Sequence, residues 1–191
     1  MTAATIPRHQ TGISLATLAP WCMCAGAAMQ IILGFPLAPY QNPDAAAFEL
    51  ISALNAVSHG LLSVGVLGLA RSGAAGGGRL ATAGAGVTQL GLAVLVVAEG
   101  VSLIDMDVAV VLFSVSTLAL AAGPIALGVA VLRTGRWTDW HRFTPLACGL
   151  YVPLILMPAF ALPGYGPNFA IGLWGVCWLL TGLSQRAEAT R

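Results

Sequence analysis

Charge is what this chain has least of. Its 191 residues carry eight bases and seven acids, a formal net charge of +1, and all eight bases are arginine, so lysine is absent altogether. Charged residues make up 8% of the chain, against about 25% in soluble proteins. So few charges cannot coat a globule of this size, which excludes a soluble fold. The near-neutral balance also lacks the dense basic face that phosphates require, so nucleic acid is not an expected partner.

Chemical motifs are equally scarce. The chain has no P-loop, no G-x-S-x-G, no H-E-x-x-H and no dinucleotide fingerprint, which argues against nucleotide-driven and covalent hydrolytic chemistry. No metal site and no cofactor is expected. Of the three histidines only His59 lies deep in an apolar stretch, with His9 and His141 near the ends of others, so paired haem ligation is disfavoured. Cys22 and Cys24 form C-x-C rather than C-x-x-C. With Cys148 and Cys177 they read as reduced, buried thiols.

What the chain has in abundance is apolar sequence, 58% of it, together with 23 glycines. A hydrocarbon core of about 30 Å takes roughly 20 apolar residues in a helix. Six stretches meet or approach that length: 13–35, 48–69, 80–104, 108–132, 143–162 and 168–183, the last of them short. The expected fold is therefore all-α, a single polytopic bundle of six transmembrane helices. Pro36, Pro39 and Pro43 break the first connection, Gly73 and Gly76 to Gly78 the second, and Pro163, Gly164, Gly166 and Pro167 the last. The first stretch is too long for a cleaved leader and reads as a retained helix.

The arginines orient the bundle. Arg8, Arg71, Arg79, Arg133, Arg136, Arg142, Arg186 and Arg191 all fall in tails or loops on one face. Arginine-rich short loops stay cytoplasmic, so both termini are expected inside, in the cell inner membrane. Asp44, Glu49, Glu99, Asp105 and Asp107 fall at or near the other face, with Asp105 and Asp107 expected to cap a helix start. Trp137, Trp140 and Phe143 mark the inner boundary and Tyr40, Tyr165 and Phe169 the outer one. Gly60, Gly65, Arg79 and Gly86 match Gly123, Gly128, Arg142 and Gly149 at a constant offset, which raises a parallel duplication as one reading and chance as the other.

Polar residues within apolar spans usually face an interior or a wet cavity. On the second helix Glu49, Ser52, Asn55, His59 and Ser63 share one arc, with Ser58 off it and expected to bond back to its own helix. Helical rise puts His59 and Gln89 near the midplane and Glu49 and Glu99 near the outer surface. The expected site is an outward-facing polar pocket narrowing toward His59. Trp21, Tyr151, Trp174 and Trp178 lie deeper than the belt aromatics and either pack or line a cavity. Pro145, Pro153 and Pro158 are expected to kink the fifth helix and open space beside it.

Three function classes fit these residues. The first is an intramembrane enzyme in which Glu49 or Glu99 is the catalytic acid. Ser52, Asn55, His59 and Gln89 then line and orient the site, and Tyr151, Trp174 and Trp178 contact an apolar, lipid-like substrate. The second is a proton-coupled or small-molecule transporter using the same stripe, working as a dimer. The third is an accessory or sensor subunit whose small residues, including Gly84, Gly86, Gly123 and Gly128, pack against a partner. Membrane lipids are the remaining expected contacts, with a homodimer as the only expected protein assembly.

The run Arg133-Thr134-Gly135-Arg136-Trp137, leading through Trp140 to Pro145-Leu146, resembles a diffuse class of small bacterial six-span membrane proteins of unassigned function. The wider layout, acidic residues and aromatic faces in a small helical bundle, resembles the integral membrane terpene cyclases. That resemblance implies cyclisation of an isoprenoid substrate by acid catalysis.

Overall fold

The fold was obtained as a computed structural model that describes residues 14–190. Ile13, Arg8, His9 and Arg191 lie outside the described residues. Among those described there are helices and turns and no strand, and six helical spans are long and apolar enough to cross a membrane.

They are α1 (Leu15–Gly34), α2 (Phe48–Arg71), α3 (Arg79–Ser102), α4 (Met106–Thr134), a composite fifth span and α7 (Gly166–Ala189). The fifth span joins α5 (Thr144–Tyr151), a π-helical turn (Val152–Leu156) and α6 (Met157–Ala159). The sixth span is not short. It runs past Leu183 because backbone hydrogen bonding continues through Ser184 and Gln185, which are buried despite their polarity.

Helix ends follow local chemistry. Ser14 caps α1, its hydroxyl accepting from the Thr17 amide at 3.3 Å. The Asp105 carboxylate accepts from the amides of Asp107 and Val108 at 3.0 and 3.1 Å and starts α4. Gly135 ends α4 with φ of 61°, a left-handed conformation that only glycine adopts without strain.

Each span packs on its neighbour in sequence, and α7 closes the ring against α1. Small residues set how close the helices come. A Cβ built on Gly84 would lie 2.6 Å from the Leu127 amide, and one on Gly123 would lie 2.6 Å from the Thr88 amide, so α3 and α4 touch backbone to backbone. Gly34 against Gly172 does the same for α1 and α7. Gly128 meets Leu146 of α5, whereas Gly86 and Gly60 face open space.

The glycines matched at constant offset therefore sit in different surroundings. Gly65 packs on Met23 while Gly128 packs on Leu146, and Gly86 is open while Gly149 abuts Ile125. Their spacing does not reflect equivalent packing roles.

Alternate spans run in opposite directions, which gathers Arg71, Arg79, Arg133, Arg136, Arg142 and Arg186 at one end of the bundle. That end is tied by side chains. Arg136 donates to the Gly73 carbonyl at 2.7 Å, and Glu188 of α7 pairs with His141 at 3.0 Å. Leu69, Leu127, Val131 and Trp137 pack its interior. The opposite end, between the 35–47 loop and the 160–165 turn, is where the bundle opens.

Candidate functional site

A cavity of about 700 Å³ occupies that open half and receives side chains from all six spans. Its size lies within the roughly 300–1,000 Å³ of small-molecule sites. Two of its walls differ in chemistry. Toward α1, α2 and α3 it meets Gln30, Ser52, Asn55, His59, Glu99 and Ser102; toward α4 and the fifth span it meets Val110, Phe113, Leu118, Val152, Leu156 and Phe160. Trp174, Ile171 and Asn168 of α7 complete the ring, and Gln41 roofs it, held by a 2.7 Å bond from its amide to the Leu33 carbonyl.

Glu99 is the only aspartate or glutamate on the lining. It sits in the last turn of α3, 8% exposed, with Ser52 of α2 beside it on the lining. Ser52, Asn55 and His59 reach the cavity together because three and four residue steps return to the same helical face.

Other expected site residues are elsewhere. Glu49 is exposed in the first turn of α2 and does not line the cavity, where Phe48 and Ile51 stand instead. Gln89 turns toward α2, where its amide donates to the Ser63 carbonyl at 2.8 Å and its oxygen accepts from the Ser63 hydroxyl. This is interhelical bonding between α2 and α3, and it removes Ser63 from the polar stripe as well. Ser58 does not bond back to its own helix. Its hydroxyl reaches the Gly26 carbonyl at 2.8 Å, because α1 approaches closely at that glycine. Tyr151 is buried in the α5–α7 seam, its hydroxyl donating to the Ala170 carbonyl at 2.9 Å, and Trp178 packs beneath the cavity rather than lining it. Trp21 is not deep: it is exposed, with the Arg186 guanidinium 3.6 Å from its ring centre.

Trp174 does line the cavity, and the proline in the fifth span explains how. Pro153 has no N–H to offer the α-helical ladder. The Val152 amide turns back to the Gly149 carbonyl, and the freed Cys148 carbonyl accepts from the Trp174 indole at 3.0 Å. The Met157 amide reaches Val152 five residues back, making the π turn. Pro145 and Pro158 fall in the first turns of α5 and α6.

The π turn still touches α4, but the end of the span beyond it does not. No Cα of α6 comes within 8 Å of α4, although α5 and α4 are in contact nearer the arginine end. Between them the cavity lining becomes the outer surface: Leu118 and Phe160 are each 58% exposed, and Val110 and Met157 are also exposed. A gap there opens sideways, onto the face that lipid covers in a bilayer.

At the cavity's deep end the expected His59 is joined by a group that sequence reasoning missed, Gln30. Gln30 is 1% exposed and neither atom of its amide has a partner among the described residues; His59 is 6% exposed and its Nδ1 has none. The indole nitrogen of Trp178, outside the lining, is also unpaired. An unpaired buried polar atom costs about 1–3 kcal/mol. Gln30 was visible as a polar residue inside an apolar span, but its direction is fixed only by where α1 packs.

A second, smaller cavity of about 310 Å³ lies at the arginine end beside Gln185, Arg136 and Trp137. Leu62, Val66 and Met23, none of them exposed, fill the layer between the two. Among the described residues no group of three or more histidine, cysteine, aspartate or glutamate side chains is placed to hold a metal ion, and the four cysteines are unpaired. Comparison of the chain with protein-family models, with curated proteins and with solved structures finds no match.

Proposed function

We propose that this protein is an intramembrane enzyme that acts on an apolar, isoprenoid-like substrate by acid catalysis, with Glu99 as its acid. The observation that carries the proposal is Glu99 itself, the one carboxyl on a cavity whose polar wall faces an apolar and aromatic one and whose side opens toward lipid. A carboxylic acid on such a wall can deliver a proton to an alkene or an epoxide. With an epoxide, protonation at oxygen breaks the adjacent C–O bond, a neighbouring double bond closes on the carbon, and loss of a proton restores the acid. The reaction is an isomerisation that needs no cofactor. Phe113 and Trp174 offer ring faces to the cationic intermediate. The likeness of this layout to membrane terpene cyclases belongs with this reading, as does a cytoplasmic arginine end.

Support for the other classes is thinner. The packed layer of Leu62, Val66 and Met23 weighs against a through-going transport path. Gly84, Gly123 and Gly128 are used for packing inside the bundle, so they do not point to a partner subunit.

The test is turnover of the terminal epoxides of farnesol and geranylgeraniol by the purified protein in lipid nanodiscs, with products resolved by mass spectrometry. Glu99→Gln is expected to lower the rate by roughly a hundredfold or more, the usual weight of a general acid. Glu49→Gln is expected to leave it unchanged. Full activity in Glu99→Gln, or no product from any epoxide with the wild-type protein, overturns the assignment.

A further inference from the structure

We propose that the deep end of the cavity recognises an uncharged hydroxyl group, so that the substrate lies head down with its apolar chain running past Glu99 toward the gap between α4 and α6. This deepens the reading of the cavity as a site for an apolar substrate and rests on it.

Two helices bring their unpaired groups to the same end of the cavity. Gly26 of α1 packs on Ser58 and Leu62 of α2, so Gln30, one turn above Gly26, and His59 lie about a turn apart in height. Helical side chains tilt toward their own N-terminus. Because α1 starts at the arginine end and α2 at the other, Gln30 points down while His59 points up. The two therefore converge from opposite directions.

Their chemistry defines the ligand group. Gln30 presents both an unpaired donor and an unpaired acceptor, and His59 adds an unpaired ring nitrogen. A hydroxyl gives and accepts hydrogen bonds and satisfies both atoms of the Gln30 amide. An ether or ketone leaves the Gln30 oxygen unpaired, and an ammonium leaves its nitrogen unpaired while carrying charge into hydrocarbon. No charged side chain except Glu99 lines the cavity, so the group recognised at the floor is neutral.

The same geometry sets where the reacting bond falls. Ser52, which shares the lining with Glu99, lies seven residues from His59 on α2, about 10 Å at the helical rise of roughly 1.5 Å per residue. The hydroxyl and the bond that Glu99 protonates are then separated by about that length of chain, and anything longer runs out between Leu118 and Phe160.

The experiment compares farnesol, its methyl ether and farnesene by tryptophan-fluorescence titration of the full-length protein in nanodiscs. Farnesol is expected to bind roughly tenfold more tightly than either analogue, the ratio that about one buried hydrogen bond produces. Gln30→Leu is expected to erase that preference while raising the unfolding temperature of the unliganded protein, since two unpaired atoms are removed. Should Gln30→Leu fail to fold, Gln30→Met and His59→Phe read the same ratio. Equal binding of the three probes by the wild-type protein, or an undiminished farnesol preference in these variants, means the floor is satisfied by water and overturns the proposal. Glu99→Gln separates the two ideas: a farnesol preference kept alongside lost turnover supports both. Full turnover in Glu99→Gln with the preference kept counts against the acid alone, and loss of the preference in Gln30→Leu is judged without reference to turnover.

Discussion

Two glutamates near one face of a bundle are alike in composition and opposite in circumstance. Glu49 is exposed at a helix end, while Glu99 is buried on the lining of the cavity, near Ser52 of the neighbouring helix. The difference lies in what surrounds each, since Phe48 and Ile51 take the lining positions beside Glu49. Trp174 shows the same dependence on a neighbour's backbone. Its indole is held by the one carbonyl that the π turn releases, and Trp178, one turn away on the same helix, finds no such partner. Replacing Trp174 with phenylalanine orphans the Cys148 carbonyl. It is expected to lower stability by about 1–3 kcal/mol, measured by thermal unfolding in detergent, and to weaken farnesol binding because the ring is part of the cavity wall.

At the scale of the helix, glycine placement separates packing from surface. Gly84 and Gly123 each face a backbone that a Cβ would strike, whereas nothing lies within 4 Å of a Cβ on Gly60 or Gly86. Gly84→Val and Gly123→Val are expected to destabilise by about 1–3 kcal/mol through overpacking, seen as a lower unfolding temperature and loss of a monodisperse peak. Gly60→Ala and Gly86→Ala are expected to be neutral or to stabilise by up to about 1 kcal/mol, as removing an unconstrained glycine from a helix usually does. Equal damage from both pairs would show that Gly60 and Gly86 meet another chain. The fifth span is the exception among the six. It alone abandons α-helical bonding, at Val152–Leu156, and it alone parts from its neighbour to open the cavity.

For the molecule as a whole, charge and cavity lie at opposite ends. Six described arginines gather where the core is packed, and the cavity opens where Glu99, Asp105 and Asp107 lie. Short arginine-bearing loops tend to stay on the cytoplasmic side, and on that ground we propose that the cavity faces outward. A cysteine introduced at Asn42 is therefore expected to react with a membrane-impermeant maleimide in intact cells, and one at Gly77 only after permeabilisation, in a background without the four native thiols. The reverse pattern would place the cavity inside and leave the packing argument untouched.

Hydropathy and charge are local properties, and they alone determined the solvent, the number of spans, most of their limits and the gathering of arginines at one end. The helix-start role of Asp105 was also legible, because a cap bonds to amides two and three residues on. Reading the polar stripe on α2 found Ser52, Asn55 and His59, since helical spacing alone puts them on one face. Which way a residue faces relative to other helices was not legible. Gln89 went to Ser63, Glu49 to the exterior and Ser58 to Gly26, and Gln30 became the floor of the site. Each outcome depends on how helices rotate and close about one another, which backbone approach at Gly26, Gly34, Gly84 and Gly123 settles. The scarcity of charge thus names the bilayer from sequence alone. Only the packed ring, whose contacts join residues far apart in the chain, isolates one carboxyl at a cavity and aims two unpaired side chains at its depth.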